Sequence, residues 1–280
     1  MNSFKALKLG VFLFFAHLIG ESPRLTLLIV IDQFAYHELL AHKKFFTGGL
    51  RKLIDQGLFY QNAFHAHAMP ETSVGHATLS TGTTPSQHGY IANNWMTRDG
   101  VQRKADDGTP EETVIDAPRA IPAGPQYLMV DTLADQIALN SAEPTNLVTL
   151  SLKSHAAIAL AGRLGSPYWF DASTGLFTTS LAYKKELPEW LRKFNETAGI
   201  TKLTEVTWDL AYPKESDAYA RVNPDTYNYA ATKEPIAGTT ISIDRNKKLP
   251  FDGYERSPES HRALLKLVTT YLDTETNNEN

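Results

Sequence analysis

Asp32 comes directly after a run over residues 25–31 that is apolar except for Thr26. Continuous apolarity is typical of a strand that is covered on both faces, as in a parallel sheet. Ligands of open α/β sheets bind beyond the carboxyl ends of the strands, so we expect Asp32 to face a site, where its carboxylate could bind a metal ion. An Asp in this position can equally form a turn or cap a helix, and both interpretations stay open.

Thr72 stands just before a run of small and apolar residues, 73–82, that is typical of a helix. Backbone N–H groups and the helix dipole favour an anion at such a helix start. A Thr hydroxyl becomes a competent nucleophile when a metal ion or a base takes its proton. Thr is also a good N-cap residue, so capping is the alternative to catalysis.

His65 and His67 have the i, i+2 spacing that places two imidazoles on one face of a strand. Imidazole nitrogen is a common zinc ligand, so a metal-binding pair is one interpretation of this spacing. The other interpretation is that both histidines are structural. The chain has no Cys, so any metal site must use His, Asp, Glu or hydroxyl oxygen.

The composition of the 280-residue chain is that of a globular protein, with 42% hydrophobic and 21% charged residues. These values exclude disordered, collagenous and low-complexity classes. The formal net charge is −4 and no basic run occurs, which argues against a nucleic-acid-binding surface. The absence of Cys also excludes disulfides and thiolate nucleophiles.

The elements that must position these residues alternate between strands and helices. Such alternation predicts an α/β fold in which a mostly parallel sheet is sandwiched by helices. The predicted strands cover residues 25–31, 58–63 and 146–150, and the predicted helices cover 49–56, 130–139, 156–161 and 188–195.

The last quarter of the chain divides into an irregular part and a helical part. Residues 205–255 show little periodicity, and we expect an irregular insertion or cap over the sheet edge. Ser257 and Pro258 are predicted to start a helix, with Ser as N-cap and Pro at the first position. Its apolar face is predicted to consist of Leu264, Leu265, Val268 and Leu272.

Residues 1–22 have the features of a secretory signal peptide. Lys5 and Lys8 precede an apolar stretch, residues 9–19, that is shorter than a membrane span and ends at a Gly-Glu-Ser-Pro sequence. We therefore expect a secreted or periplasmic protein with no stable membrane span after signal removal, whose mature part is residues 23–280. A buried first helix is the alternative.

Several ordered blocks over residues 25–195 resemble one known family. They are Ile29 to Gln33, the helix start at Gly48, Asn62 to Phe64, Thr72 to His76, Thr81-Gly82, Pro85 to Gly89, Ala92 to Trp95 and Ser151 to Ala157. Together they resemble the alkaline phosphatase superfamily, in particular its secreted branch with a Thr nucleophile, which is similar to the nucleotide pyrophosphatase/phosphodiesterases.

The resemblance implies an alkaline-phosphatase-like core and a zinc-dependent phosphoric ester hydrolase that acts on a small phosphate ester. It implies that Asp32 is a zinc ligand and that Thr72 is the nucleophile, bound to the same zinc ion. Asn93 would donate to a phosphate oxygen, and Lys153 would stabilise the transition-state charge. A turn-forming Asn and an ordinary solvated Lys are the alternatives. His65, His67, His76 and His88 match no ligand of the family and are expected to be structural.

Two departures from the family pattern change what we expect of this chain. The first is His155, which occupies a position where phosphatases of this branch commonly have Arg. An Arg fork holds two phosphate oxygens with a permanent charge, whereas His is partly neutral near its reference pKa of about 6.5. A singly charged diester therefore suits this position at least as well as a monoester.

The second departure is the set of remaining metal ligands. The family uses an Asp-x-x-x-His pair, an Asp-His dipeptide and a distal His, and the chain contains no Asp-His dipeptide and no Asp followed four residues later by His. The nearest substitute, Glu38 with His42, precedes the nucleophile. We therefore expect an N-terminal part of such an enzyme, incomplete at its C-terminus, with partial zinc binding instead of two ions and no activity alone. A non-catalytic binding module or a degraded gene product is the alternative.

Overall fold

The computed structural model of the chain describes residues 25–222 and 237–278. The predicted signal peptide, residues 1–22, lies outside the described residues. The chain divides into two compact units, Met1–Phe34 and Ala35–Asn280. Within the described ranges, no helix has the length and apolarity needed to cross a membrane.

The described part of the first unit, residues 25–34, contains no strand. The prediction of a strand over residues 25–31 is therefore wrong for this structure. A strand needs hydrogen bonds to a neighbouring strand, and none of the described pairings includes these residues. Their apolar side chains stay exposed, as for Leu25 at 61% and Ile29 at 64%.

The second unit begins with two helices that bury none of their residues, α1 (Tyr36–His42) and α2 (Gly49–Gln56), with a 3-10 turn, Lys43–Phe45, between them. Helix α2 confirms the helix predicted over 49–56, and the Gly57 N–H closes it by donating to the Leu53 carbonyl at 2.9 Å. The strand predicted over 58–63 is wrong, because these residues form a turn and exposed irregular chain without a pairing partner.

The segment that follows contains the first described helix with buried residues. Helix α3 (Thr72–Thr81) ends at Gly82, whose φ of 65° is the left-handed conformation that Gly adopts without strain. The short helix α4 (Pro85–His88) leads to strand β1 (Asn94–Met96), which pairs antiparallel with β2 (Gln102–Lys104).

The next segment contains a three-stranded sheet. Helix α5 (Leu133–Asn140) precedes β3 (Val148–Ser151), and helix α6 (Ser154–Ala161) connects β3 to its parallel neighbour β4 (Ser166–Asp171). Strand β5 (Leu176–Thr178) pairs antiparallel with β4, and helix α7 (Glu189–Ala198) follows. The α/β class is thus confirmed. The expectation that the sheet is mostly parallel holds only for the β3–β4 pair among the four described pairings.

The segment predicted to be irregular contains regular elements. Strands β6 (Glu205–Trp208) and β7 (Thr239–Ser242) pair antiparallel, helix α8 (Asp217–Val222) lies between them in the chain, and the short helix α9 (Asp252–Glu255) follows. Helix α10 (Pro258–Asn278) confirms the helix predicted to begin at Pro258.

The main hydrophobic core joins the three-stranded sheet to the last helices. Phe170 and Phe177 from the sheet pack with Phe251 and Tyr254. Leu267 is the fully buried apolar residue among the described side chains of α10, whereas the predicted core residue Leu265 is 66% exposed. The prediction for α10 was therefore wrong at Leu265, because the packed face is rotated toward Leu267.

Candidate active site

Thr72 is the first residue of α3, which confirms the predicted helix start. The residue is partly buried. The His76 ring, one turn along the same helix, has its Nδ1 at 2.8 Å from the Thr72 carbonyl oxygen and so donates to it. The first turn of α3 is therefore held by its own side chains as well as by the backbone.

Asn93 caps the start of α3 from outside the helix. Its Oδ1 accepts a hydrogen bond from the Ser73 N–H at 2.8 Å, and its own N–H donates to the Glu71 carboxylate. A backbone N–H can only donate, so the amide oxygen of Asn93 must face the helix and its Nδ2 must face away. Thr72 thus lies between two residues that both bind Asn93.

A series of hydrogen bonds connects Asn93 to the start of α6. The Ala105 N–H donates to the Asn93 carbonyl at 3.0 Å, and the next residue, Asp106, accepts the Ser154 hydroxyl with its carboxylate. Ser154 is the first residue of α6. The structure therefore brings Thr72, Asn93 and the start of α6 into one connected group.

Helices α3 and α6 pack directly against each other. Ala77 and Ala159 are fully buried in the same cluster, and the Ser80 hydroxyl donates to the Ala159 carbonyl at 2.6 Å. Small residues at this contact, called here the joint between α3 and α6, allow the two backbones to approach closely. The joint fixes the helix that begins at Thr72 relative to the helix that follows Lys153.

Lys153 is the N-cap residue of α6, two residues after the end of β3, which confirms its predicted position after a strand. Its side chain is half exposed and its Nζ lies 2.7 Å from Oε1 of Glu255, whose side chain is only 10% exposed. Burial raises the pKa of the Glu255 carboxyl, whereas Lys153 lowers it. His155, the second residue of α6, is partly buried.

The other histidines have different environments. The Tyr90 N–H donates to Nδ1 of the buried His88, so Nε2 carries the proton and donates to the Thr78 hydroxyl at 3.1 Å. Burial, and to a smaller extent His67, lower the pKa of His88, which keeps the ring neutral. The His65 and His67 rings lie 5.0 Å apart, and both ring nitrogens of His67 are buried without a hydrogen-bond partner in the part of the chain that the structure describes.

Asp32 lies in the unit of residues 1–34, whereas the group of Thr72, Asn93 and Lys153 lies in the unit of residues 35–280. Asp32 is exposed and belongs to a turn, in which its Oδ1 accepts the Gln33 N–H at 2.9 Å. The prediction that Asp32 ends a strand was wrong, because residues 25–31 form none. The turn geometry is the alternative named for this residue above.

The metal-binding capacity of the described ranges is limited. In residues 25–222 and 237–278, no group of three or more His, Cys, Asp or Glu is placed so that it could hold a metal ion. A cavity of about 450 Å³ is lined by residues 59–63 and by none of the predicted site residues.

Three carboxylates of the site were missed in the sequence: Glu71, Asp106 and Glu255. Glu71 is adjacent to Thr72 and was within reach of a local argument, because an acidic residue often precedes a helix. Asp106 accepts a hydrogen bond from Ser154, which is 48 residues away in the chain. Glu255 pairs with Lys153, which is 102 residues away. No local spacing carries a signal for contacts of that range.

Comparison with known proteins supports the same region. Residues 26–192 match the family described as type I phosphodiesterase / nucleotide pyrophosphatase. The chain is similar to the alkaline phosphatase PafA of Elizabethkingia meningoseptica, with 30% identity over 89% of this chain and 44% of that protein. It is also similar to the alkaline phosphatase PhoV of Synechococcus elongatus, with 28% identity over 75% of this chain and 38% of that protein.

A third relative is a protein of Myroides odoratus named calcium-transporting ATPase, with 25% identity over 91% of this chain and 47% of that protein. The crystal structure of wild-type PafA matches with a TM-score of 0.71 and 24% identity over 88% of this chain and 48% of that one. The chain thus spans less than half the length of these relatives.

Proposed function

The chain belongs to the type I phosphodiesterase / nucleotide pyrophosphatase family within the alkaline phosphatase superfamily, and on this premise we propose that it carries the nucleophile part of a phosphoric ester hydrolase site. The proposed nucleophile is the Thr72 hydroxyl. The proposed substrate is a small phosphate ester, and the signal-like residues 1–22 support secretion or a periplasmic location.

The observation that carries this proposal is the way Asn93 binds the start of α3. Its Oδ1 is held by the Ser73 N–H, and its Nδ2 donates to no atom of the described residues. The amide group is therefore fixed with two N–H bonds directed away from the helix that begins at Thr72. A phosphate oxygen beside Thr72 is the acceptor that this arrangement suits, since phosphoryl transfer is catalysed by positioning and by stabilising charge on oxygen.

Lys153 and the start of α6 supply the positive charge. Lys153 places an ammonium group at the N-terminal end of α6, where the backbone N–H groups also favour an anion. The hydrogen bonds through Asp106 connect this end to Asn93. We propose that Lys153 binds a non-bridging oxygen and that His155 takes the position of a second, weaker donor that favours diesters.

Zinc would activate the Thr72 hydroxyl in a complete family site, with Asp32 and Thr72 among its ligands. A zinc site in a protein usually has three or four ligands from the chain. The described residues offer no group of three. They therefore do not fit a complete zinc site, and no step of the proposal passes through the metal.

Two substitutions of Asn93 separate phosphate binding from helix capping. Asn93→Asp keeps the oxygen that accepts the Ser73 N–H but replaces the N–H donors with a negative charge. We expect it to unfold at nearly the wild-type urea midpoint and to lose binding of inorganic phosphate by about tenfold or more, measured by calorimetry. Asn93→Ala loses both functions. Unchanged phosphate affinity in Asn93→Asp would contradict the proposed site.

The incomplete metal ligand set favours a second candidate, a phosphate-ester-binding module without catalysis. Hydrolysis of bis-p-nitrophenyl phosphate and p-nitrophenyl phosphate by the wild type and by Thr72→Ala, with and without zinc, decides between the two. A zinc-dependent difference between the proteins supports the hydrolase. Equal rates together with phosphate binding that depends on Asn93 support the binding module, which is the result that we expect for this chain alone.

A further inference from the structure

The Lys153–Glu255 ion pair is a contact of the site that the family resemblance does not explain. Its atoms lie 2.7 Å apart, and it joins the start of α6 to the short helix α9. Glu255 is 10% exposed, whereas the Arg–carboxylate ion pairs of the described residues are formed by side chains that are at least 37% exposed. The pair is therefore built into the protein and is not a loose surface contact.

We propose that Glu255 is a specificity-determining residue of the site, which compensates the charge of Lys153 and makes the site favour singly charged phosphodiester groups over doubly charged phosphomonoesters. This inference rests on the proposed function, because it concerns what Lys153 presents to the substrate. It adds Glu255, a residue that the sequence did not indicate, to the preference for diesters that His155 suggests.

The argument is one of charge. Lys153 alone presents one positive charge to a phosphate group, and a dianion gains about twice as much from that charge as a monoanion does. With the Glu255 carboxylate beside Nζ, the pair is close to neutral, so the advantage of the dianion is largely removed. The Asn93 amide and the N–H groups of α6 remain, and these neutral donors serve both kinds of anion.

The surroundings of Glu255 hold its backbone in place and leave Lys153 as its direct ion-pair partner. Its fixed backbone position is secured by the Glu255 N–H, which donates to the Phe251 carbonyl at 2.8 Å, while Phe251 is buried in the main core. The other charges next to it, Asp252 and Arg256, form an ion pair with each other at 3.1 Å. Lys153 is thus the cation that the carboxylate contacts directly.

Burial and the neighbouring cations act in opposite directions on the pKa of the Glu255 carboxyl. Burial raises the pKa of Glu255 and Asp252 adds to this, whereas Lys153 and Arg256 lower it. A buried carboxylate that lost Lys153 would be left without its main compensation, which is costly. Lys153 is therefore retained in the pair until another anion approaches it.

The test uses the full chain with Glu255→Gln, which keeps the shape of the side chain and an oxygen that accepts from Lys153. The matched control is Glu259→Gln, which makes the same change in net charge at an exposed pair with Arg262. Binding of methyl phosphate and of dimethyl phosphate is measured by calorimetry at pH 8, where the first is a dianion and the second a monoanion.

We expect Glu255→Gln to bind methyl phosphate about tenfold more tightly and dimethyl phosphate about threefold more tightly. The reason is that the attraction of the dianion to the uncompensated Lys153 charge is about twice that of the monoanion. Glu259→Gln should leave both affinities within about twofold of the wild type, because exposed charges are screened. An unchanged ratio of the two affinities in Glu255→Gln overturns the inference.

A second measurement separates this inference from the proposed function. Acetylation of Lys153 by acetic anhydride, followed by peptide mass spectrometry with Lys193 as reference, should be about three- to tenfold faster in Glu255→Gln, because the amine is released from its partner. If Lys153 labelling stays the same while phosphate binding still depends on Asn93, Glu255 has no such role and the proposed function stands. If no variant binds either phosphate, both the proposed function and this inference are overturned.

Discussion

Helices α2 and α3 are close in the sequence but differ completely in burial. Helix α2 has the strongly amphipathic pattern that usually indicates a buried face, yet none of its residues is buried. Helix α3 has a weak apolar pattern, yet it buries five of its ten residues, among them Ser73, Ser80 and His76. The burial of each helix is thus the reverse of what its pattern indicates.

The difference between the two helices lies in their partners. Helix α3 packs against α6 and contributes to a buried cluster with Tyr90 and Leu128. Helix α2 and the chain after it meet no such surface among the described residues, so Leu53 is 65% exposed and Leu58 is 89% exposed. An amphipathic pattern indicates a helix with one apolar face, whereas burial of that face requires a second apolar surface.

Truncation of one leucine in each region gives the largest expected contrast. Leu128 is fully buried beside α3, and Leu58 follows α2 in the chain. Leu128→Ala should lower the free energy of unfolding by about 2–5 kcal/mol, because it removes buried methyl groups and leaves a cavity. Leu58→Ala should change it by less than about 0.5 kcal/mol. Urea unfolding measures both.

Equal effects of the two leucine substitutions would show that the region around α2 is packed as tightly in solution as the region around α3. The comparison would then fail. A larger loss in the free energy of unfolding for Leu58→Ala than for Leu128→Ala would contradict the comparison in the same way.

The joint between α3 and α6 predicts a smaller effect. Ser80→Ala removes the buried hydrogen bond to the Ala159 carbonyl, and we expect a loss of about 1 kcal/mol in the free energy of unfolding. The Thr145 hydroxyl donates to the Glu143 carbonyl at 3.2 Å, but in exposed irregular chain. Thr145→Ala is therefore the control, with an expected loss close to zero by the same urea measurement.

The pH dependence of stability is the smallest expected effect and again concerns the packed region. The pKa of His88 is lowered in the folded protein by burial and by His67, so its stabilising contribution is present above the ordinary value of 6.5. As the pH falls below that value, the unfolded chain binds a proton that the folded chain resists, and stability falls.

We therefore expect the melting temperature of the wild type to decrease between pH 7 and pH 5 more steeply than that of His88→Gln, which lacks the titrating ring. His37, which is 80% exposed, provides the control. His37→Gln should keep the wild-type slope. A His88→Gln protein whose slope equals the wild type would show that His88 is not held neutral by the fold.

The sequence was sufficient for those parts of the site that follow local rules. The start of α3 at Thr72 and the position of Lys153 after β3 were both predictable, since each depends on a few neighbouring residues and on family motifs. The roles of Asn93, Thr72, Lys153 and Asp32 in chemistry stay predictions until the experiments above are done.

Long-range features were beyond the sequence for physical reasons. Residues 25–31 and 58–63 are rich in the apolar and aromatic residues typical of strands, but a strand forms only when a neighbour supplies its hydrogen bonds. The Lys153–Glu255 pair joins residues 102 positions apart, and no pattern within either segment indicates it. In α10, the choice of Leu267 over Leu265 depends on which surface the helix meets.

The joint between α3 and α6 also orders events during synthesis of the chain. Ala159, whose carbonyl accepts the Ser80 hydroxyl, lies 79 residues after Ser80 in the chain. A ribosome that adds about 5–20 residues per second needs roughly 4–16 s to translate this stretch. A helix of ten residues is too short to persist alone in water. Thr72 therefore emerges from the ribosome in an unfolded segment, and α3 becomes a stable helix only after α6 has been translated.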